Sequence, residues 1–220
     1  QGQTLAIIGA TGSGKTTLIN LIPRFYDATQ GEVLVDGVNV KDYAFDALYD
    51  RLGYVTQKAV LFSGSIRENV LFGESAAPAT DETVKEAIDL SQAAEFVDKL
   101  SEGTDYHIAQ LGRNVSGGQK QRLAIARALT RGAEILVFDD SFSALDYKTD
   151  AALRGELSRR FADTTKVIVA QRISSIRHAD EIIVLDRGEA VGIGTHDELM
   201  RTCRVYQEIA TSQLSAAELA

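Results

Sequence analysis

The amino-acid sequence predicts an α/β fold: a mostly parallel β-sheet flanked by helices, with a small antiparallel β region and an inserted helical subdomain. Three observations lead to this prediction. Short apolar runs typical of buried parallel strands recur along the chain and alternate with helical segments. The first of these runs leads directly into a glycine-rich loop. A long central stretch has a helical pattern without strand-like alternation.

The predicted strands of the main sheet are short and apolar, as expected for strands buried on both faces. They cover residues 4–8, 52–55, 135–138, 167–169 and 182–185. Residues 190–193 can pair beside the last of these strands, across the turn at Arg187-Gly188. Residues 32–37 predict a strand followed by a turn, which indicates a small hairpin region.

Helices are predicted between these strands. The first covers residues 16–22 and stops near Pro23, because proline cannot continue the helical hydrogen-bond ladder. A helical insertion extends from about residue 65 to about residue 131. Inside it, one helix is expected to begin after Ser116 and to continue to about Leu129.

The chain is expected to form one α/β domain over residues 1–220. A catalytic core of about 1–63 and 132–220 is interrupted by a helical subdomain of about 64–131. A length of 220 residues is sufficient for one such domain with an insertion. Because the sequence opens at Gln1 and enters a strand at residue 4, we expect it to be a fragment of a longer protein.

Composition and charge limit the possible classes of protein. Apolar residues make up 45% of the chain and charged residues 25%, which is ordinary globular composition. No run of eighteen uncharged apolar residues occurs, so no transmembrane helix is predicted within these residues. The formal net charge of −8 and the scattered lysines and arginines argue against a nucleic-acid partner. Cys203 is the single cysteine, and we expect a packed side chain in a reducing compartment.

The loop after the first strand predicts a phosphate-binding site. The motif G-x-x-x-x-G-K-[ST] is matched at every fixed position by Gly9-Ala10-Thr11-Gly12-Ser13-Gly14-Lys15-Thr16. Glycines let backbone N–H groups approach phosphate oxygens, and the following helix N-terminus adds partial positive charge. Lys15 should reach the β- and γ-phosphates, Thr16 should bind Mg²⁺, and Thr17 should touch the α-phosphate. The sequence therefore predicts that ATP and Mg²⁺ bind here.

A second part of this site is predicted at the end of the strand at residues 135–138. An apolar strand that ends in aspartate presents a carboxylate at the carboxyl edge of the sheet, where ligands bind in open α/β folds. Asp139 is therefore expected to hold Mg²⁺ through water. Many strands end in aspartate, so the specificity of this signal comes from its combination with the phosphate-binding loop.

A second glycine-containing motif indicates the class of nucleotide-binding protein. Val115-Ser116-Gly117-Gly118-Gln119 resembles the LSGGQ signature of ABC ATPases, with valine in place of leucine. Ser116 should cap the following helix and create another helix N-terminus suited to an anion. The resemblance implies the ABC ATPase fold, and it implies that this motif faces the ATP held by an opposite nucleotide-binding domain.

The resemblance to exporter-type ABC ATP-binding domains extends along the whole chain. Gln57 is similar to the Q-loop glutamine, a Mg²⁺ ligand and a sensor at the transmembrane contact, and Asp146 ends a D-loop-like run, Ser143-Ala144-Leu145-Asp146. Residues 61–69 and 194–199 also resemble exporter segments. These similarities imply ATP-driven dimerisation that powers export, with attached transmembrane domains and a location at the cytoplasmic face of the cell membrane. The aromatic residue that stacks on adenine is expected upstream of Gln1.

Two positions depart from the family pattern, and both belong to the expected catalytic set of Asp140, Gln171 and Gln57. The residue after the strand aspartate is normally glutamate, the general base toward water, whereas Asp140 has a stem shorter by one methylene. The switch histidine is replaced by Gln171, which can hydrogen-bond a phosphate but lacks the charge of imidazole. We expect a site that binds ATP well and hydrolyses it slowly. Tolerance of both residues in an active site is the alternative.

The segment before the signature favours an asymmetric transporter. Residues 107–112 lack the two carboxylates that many exporters have there, whereas the signature keeps its serine, glycines and glutamine. This pattern resembles the degenerate half of a heterodimeric multidrug or lipid exporter, whose partner domain would supply glutamate and histidine. A fully active homodimeric exporter ATPase is the alternative. A soluble ABC ATPase of DNA repair or translation is disfavoured by the absence of sustained heptads and by the single domain.

Overall fold

The computed structural model describes residues 1–73 and 80–213. The described strands are short, and most follow the predicted apolar runs. They are β1 (Thr4–Gly9), β2 (Leu34–Val35), β3 (Val38–Asn39), β4 (Leu52–Val55), β5 (Gly64–Ser65), β6 (His107–Ile108), β7 (Ile135–Asp139), β8 (Thr165–Val169), β9 (Glu181–Asp186) and β10 (Glu189–Gly194).

Helices lie between these strands and after them. The described α-helices are α1 (Lys15–Ile19), α2 (Phe45–Tyr49), α3 (Ile66–Val70), α4 (Asp81–Leu90), α5 (Ala94–Val97), α6 (Gly117–Leu129), α7 (Tyr147–Arg160), α8 (His196–Thr202) and α9 (Arg204–Gln213). Short 3₁₀ helices cover Val40–Asp42, Gly103–Asp105, Gln110–Gly112 and Ile173–Ser175. Within residues 1–73 and 80–213, no helix is both long enough and apolar enough to cross a bilayer.

Six strands form the central sheet in the order β10-β9-β1-β8-β7-β4. All neighbouring pairs are parallel except β9 and β10, which are antiparallel with Ala190 opposite Leu185 and Ile193 opposite Ile183. Two small antiparallel pairs, β2 with β3 and β5 with β6, lie outside this sheet. The predicted α/β fold with a mostly parallel sheet and a small antiparallel region is therefore confirmed.

Successive residues of each strand point to opposite faces of the sheet, and an apolar cluster with helical residues covers each face. In β7, Phe138 belongs to the apolar cluster that includes Leu153 of α7, and the preceding residue, Val137, belongs to a second cluster that includes Ile19 of α1. Cys203 is buried in the same apolar cluster as Phe138 and Leu153, as expected for a packed thiol. Because five of the six strands run parallel, their carboxyl ends meet at one edge of the sheet, where the site described below lies.

The region between β5 and β7 has its own apolar cluster, formed by side chains of α3, α4, α5, β6 and α6. A short strand pair that the helical pattern does not predict also occurs here: β5 pairs with β6, with Gly64 opposite Ile108. Each of these strands has two residues, which is too short to produce a period-two pattern. Residues 74–79 of the predicted helical stretch lie outside the described residues.

The first helix is shorter than predicted: α1 begins at Lys15 and ends at Ile19. Beyond it the chain forms tighter turns, in which Ile22 N–H donates to Ile19 O over 3.1 Å. Pro23 has no N–H with which to reach Ile19 O, and a proline ring crowds the carbonyl four residues before it. The last turn therefore tightens instead of continuing as α-helix.

Candidate nucleotide-binding site

The loop between β1 and α1 lies directly against the end of β9. A Cβ atom at Gly9 would lie 2.1 Å from the carbonyl oxygen of Leu185, so no side chain fits there. Gly14 is the residue before α1 and has a φ of 101°, a conformation that favours glycine. The N–H of Gly188 donates to the carbonyl of Ser13 over 3.0 Å. The close approach and the left-handed turn explain why the motif requires glycine at these two positions.

The ammonium group of Lys15 lies inside the curve of this loop. Its Nζ donates to the carbonyl oxygens of Gly9 and Ala10, each at 2.9 Å. Burial lowers the pKa of Lys15, and the nearby carboxylates of Asp140 and Asp139 oppose this effect. A cation is therefore held among backbone groups at the N-terminus of α1, in the arrangement that binds anionic phosphate groups.

Thr16 and Asp139 are brought together from opposite sides of the site. The Thr16 hydroxyl, in the first turn of α1, donates to Oδ1 of Asp139, at the end of β7, over 2.9 Å. Asp139 is buried, and this burial raises the pKa of its carboxyl, while the hydrogen bond from Thr16 lowers it. A hydroxyl and a carboxylate are oxygen ligands of the kind that Mg²⁺ prefers, so these two residues fit that ion.

The three predicted catalytic residues form one hydrogen-bonded cluster. Oδ2 of Asp140 accepts from Nε2 of Gln171 at 2.6 Å and from Nε2 of Gln57 at 3.2 Å. Asp140 has a φ of 47°, and its N–H donates to the carbonyl of Val169 over 3.0 Å. These side chains follow β4, β7 and β8, which are neighbours in the sheet, so their carboxyl ends bring the cluster together.

A cavity of about 230 Å³ joins the loop, the Thr16–Asp139 pair and this cluster. Its lining contains most of the predicted nucleotide-binding, catalytic and metal-binding residues. They are Thr11, Gly12, Gly14, Lys15, Thr16, Thr17, Gln57, Asp139, Asp140 and Gln171, together with Val169, which the sequence did not indicate. Gly9 and Ser13 do not line the cavity; Ser13 is buried within the loop.

The signature residues lie elsewhere, at the N-terminus of α6. Ser116 and Gln119 form a capping box: Ser116 N–H donates to Oε1 of Gln119 over 2.8 Å, and Gln119 N–H donates to Oγ of Ser116 over 3.3 Å. A Cβ added at Gly117 would meet no neighbouring atom within 4 Å, whereas a Cβ at Gly118 would lie 3.2 Å from the carbonyl of Ala144. None of residues 116–119 lines the cavity that contains Lys15.

Asp146 is the N-cap of α7, next to the signature. Its Oδ1 accepts from Thr149 N–H at 3.0 Å and its Oδ2 from the Thr149 hydroxyl at 2.7 Å. These hydrogen bonds lower the pKa of the Asp146 carboxyl. Asp146, like the signature, does not line the cavity, and its contacts in the described chain are those of a helix cap.

Sequence reasoning missed two residues that are hydrogen-bonded to the backbone of the cluster. Gln121 of α6 donates to the carbonyl of Thr56 over 3.2 Å, beside Gln57. Gln213, at the end of α9, is hydrogen-bonded to the backbone at Gln171. Both are glutamines without a motif and lie far along the chain from the residues that they contact, so no local pattern could have identified them.

Comparisons with known proteins identify the family of the chain. Residues 1–143 match the ABC transporter family. An ABC transporter ATP-binding protein of Mycobacterium tuberculosis is 46% identical over 217 residues, covering 98% of this chain and 37% of that protein. A Staphylococcus aureus protein named for multidrug export, an ATP-binding/permease protein, is 43% identical over 213 residues, covering 97% and 36%.

A solved structure gives the same result at the level of the fold. The structure of a bacterial Atm1-family ABC exporter with ATP bound superposes with a TM-score of 0.91 and 35% identity, over 96% of this chain and 37% of that one. The chain thus spans little more than a third of the length of these relatives. The chain belongs to the ABC transporter family and is an ATP-binding domain of that family, as the family match and the relatives show.

Proposed function

We propose that this chain is the motor domain of an ABC exporter, in which ATP binding and hydrolysis drive the transport step. The similarity to a protein named for multidrug export and to a bacterial exporter structure supports export. The transmembrane domains of the same transporter are the partners through which this domain acts. The domain then lies at the cytoplasmic face of the cell membrane.

The nucleotide site of this proposal is the cavity at the β1–α1 loop. The loop amides of residues 9–14 and the ammonium of Lys15 hold the β- and γ-phosphates of ATP, and Thr17 contacts the α-phosphate. Thr16, Asp139 and Gln57 hold Mg²⁺, because all three line the cavity and carry oxygen ligands. When bound, Mg²⁺ neutralises developing charge on the phosphate oxygens.

A second nucleotide-binding domain completes the proposed assembly. Ser116 and Gly117 are exposed, residues 116–119 lie outside the chain's own cavity, and Gly117 has open space around it. This arrangement supports a role in which the N–H groups at the start of α6 contact the ATP of the opposite domain. Asp146, in the adjoining loop, would then lie at the interface between the two domains.

The chain's own site is proposed to hydrolyse ATP slowly. The observation that carries this proposal is that Gln57 and Gln171 both donate to the same oxygen of Asp140. A general base must reach the proton of the attacking water, and aspartate is one methylene shorter than the usual glutamate. Gln171 supplies no titratable group in place of histidine. The partner domain, with glutamate and histidine at these positions, would carry out the faster reaction.

The test is to restore both residues in the transporter that contains this chain. Asp140→Glu combined with Gln171→His is expected to raise the ATP turnover of this site at least about tenfold, since a positioned acid or base contributes roughly 10²–10⁴ in rate. The same two chemical changes at exposed positions, Asp98→Glu with Gln30→His, serve as the matched control and should change nothing.

The second candidate function is a homodimeric exporter ATPase with full activity. The retained carboxylate of Asp140 within the cavity favours it. In that case the unmodified protein would already turn over at the roughly 1–10³ s⁻¹ typical of enzymes, and the double substitution would change the rate little. A single type of subunit in the purified transporter would also support this alternative.

A further inference from the structure

The side chain of Gln213, at the C-terminal end of α9, is paired with the backbone on both sides of Arg172. Its Nε2 donates to the carbonyl of Gln171 over 2.7 Å, and its Oε1 accepts from the N–H of Ile173 over 2.9 Å. Arg172 is extended, with φ of −107° and ψ of 127°, so these two backbone groups point to the same side. The side-chain amide of Gln213 therefore pairs with both backbone groups, as the backbone of a neighbouring strand would.

This contact reaches the nucleotide site through a single residue. The carbonyl of Gln171 is bound by Gln213, and the side chain of Gln171 donates to Asp140 over 2.6 Å and lines the cavity. Because backbone position determines where the amide points, a shift of Gln171 would move its donor relative to the site.

A second helix holds the same loop, but not at Gln171. Asp150 of α7 accepts from the Ser175 hydroxyl over 3.1 Å, and Arg154 donates to the carbonyl of Ser174 over 3.1 Å. These contacts hold the segment after Arg172. In the described part of the chain, side chains of α7 are hydrogen-bonded to this loop at residues 174 and 175, whereas Gln213 of α9 is hydrogen-bonded to it at residue 171.

The side-chain amide of Gln171 has two N–H donors, and one of them donates to Asp140. We infer that Gln213 is a positioning residue that holds the other donor where it reaches the γ-phosphate, so that helix α9 controls how strongly this site prefers ATP over ADP. The inference rests on the proposed function of the cavity as the ATP site. ADP lacks the phosphate that Gln171 would contact, whereas both nucleotides use the loop and Lys15. Loss of Gln213 therefore weakens ATP binding and leaves ADP binding unchanged.

The experiment uses the complete transporter, with photolabelling by 8-azido-ATP followed by separation of subunits, so that the occupancy of this chain is measured by itself. Competition by unlabelled Mg-ATP and by Mg-ADP gives the two affinities. In Gln213→Ala, the affinity for ATP is expected to fall about three- to tenfold, the effect of one hydrogen bond, and that for ADP to stay within about twofold. Gln207→Ala is the matched control, since Gln207 of the same helix donates to the carbonyl of Met200 and does not touch the loop.

Two further variants separate positioning from a purely structural role. Gln213→Glu keeps an acceptor for Ile173 N–H but loses the donor to the carbonyl of Gln171, so it should reproduce the loss of ATP preference. In a Gln171→Ala background, Gln213→Ala should cause no additional loss, because it acts through the missing side chain.

Different outcomes would overturn the role of Gln213 and the function proposed for the cavity. Equal weakening of both nucleotides, additive effects of the two substitutions, or normal ATP preference in Gln213→Glu would overturn the role of Gln213 alone. An unmodified chain with no Mg-dependent affinity for ATP would overturn the proposed function and this inference together.

Discussion

The side-chain amide of Gln171 lies 2.6 Å from Oδ2 of Asp140 and donates a hydrogen bond to it. The two residues are separated by 31 positions in sequence, but Asp140 directly follows β7 and Gln171 lies two residues after the end of β8. These strands are parallel neighbours, so their carboxyl ends lie side by side. The two predicted catalytic positions at which the chain departs from the ABC pattern are therefore in direct contact.

This contact leads to a prediction about Asp140→Asn. The substitution keeps the size of the side chain and an oxygen that can accept from Gln171 and Gln57, but it removes the basic carboxylate. If Asp140 is a poor base, ATP turnover should change less than about tenfold, well short of the roughly 10²–10⁴ that a working base contributes. Steady-state ATPase assays of the unmodified and variant transporters measure this. A fall of a hundredfold or more would show that Asp140 is an effective base.

The proposed phosphate-binding role of the β1–α1 loop predicts the effect of replacing Lys15 and Thr16 together by alanine. Each residue is expected to make a hydrogen bond to a charged partner, worth about 1.5–3 kcal/mol, so affinity for Mg-ATP should fall by at least about a hundredfold. Isothermal titration with Mg-ATP measures the loss. Lys99→Ala removes an exposed lysine elsewhere and should leave the affinity unchanged. Retention of Mg-dependent binding in the double variant would contradict the assignment of the loop.

Two glycines of the chain should respond in opposite directions to replacement by alanine. At Gly9 a Cβ would lie 2.1 Å from the carbonyl of Leu185, so Gly9→Ala should lower the free energy of unfolding by about 1–3 kcal/mol. Gly155 lies inside α7 with no atom near its Cβ position, so Gly155→Ala should raise it by about 0.5–1 kcal/mol. Urea denaturation measures both. Equal effects at the two positions would contradict this account.

The buried carboxylate of Asp150 is predicted to contribute strongly to stability, because it anchors the loop after β8. It accepts from Nε of Arg154 at 2.8 Å and from the Ser175 hydroxyl at 3.1 Å, and it is fully buried. Asp150→Ala should lower the free energy of unfolding by about 3 kcal/mol, because removing one partner leaves a charge without compensation.

The control for Asp150 is an ion pair of similar geometry in solvent. Arg204 and Glu208 of α9 approach to 2.8 Å, but both side chains are largely exposed. Glu208→Ala should therefore change the free energy of unfolding by less than about 0.5 kcal/mol. Chemical denaturation that gives similar losses for the two substitutions would mean that burial of Asp150 does not determine its contribution.

The contact between His196 and Tyr206 predicts how stability depends on pH. Nδ1 of His196 lies 2.8 Å from the Tyr206 hydroxyl, and burial, together with the charge of Arg177, lowers the pKa of His196. A lowered pKa means that the folded state favours the neutral ring. Its stabilising effect is full above the unfolded value of 6.5 and is lost as the pH falls through the folded value.

The measurement for His196 is the thermal midpoint at pH 7.5 and at pH 5.5. The unmodified chain should lose more stability on acidification than His196→Gln, since glutamine can still hydrogen-bond Tyr206 but does not titrate. His107→Gln changes an exposed histidine and is the control. An unchanged pH dependence in His196→Gln would rule out this histidine as the titrating group.

Much of the fold could be predicted because its signals are local. The strand at residues 52–55 has the predicted bounds, and β7 extends the predicted run by one residue, to Asp139. Apolar runs of this length are typical of buried parallel strands whatever surrounds them. The helix after Ser116 was predicted for the same reason, since a capping residue and the following turn are adjacent in sequence.

The structural features that the sequence did not predict depend on contacts between residues that are distant in the chain. The pairing of β5 with β6 requires Gly64 to meet Ile108, and two-residue strands carry no pattern of their own. The earlier end of α1 depends on how the turns before Pro23 tighten, which the position of the proline alone did not predict in detail. The contact between Gln213 and Gln171 joins residues 42 positions apart.

The residue spacing of the chain alone therefore determined that it has a glycine-rich loop motif of the phosphate-binding type, a strand that ends in aspartate and a signature-like helix start, because each is a run of adjacent residues with one local geometry. The tertiary structure decided which groups meet: Gln57 and Gln171 converge on one oxygen of Asp140, the signature lies outside the chain's own cavity, and α9 is hydrogen-bonded to the loop at Gln171. The physical reason is that parallel strands bring their carboxyl ends to a common edge, and helices dock by burying apolar surface, so that residues remote in sequence become hydrogen-bonding neighbours.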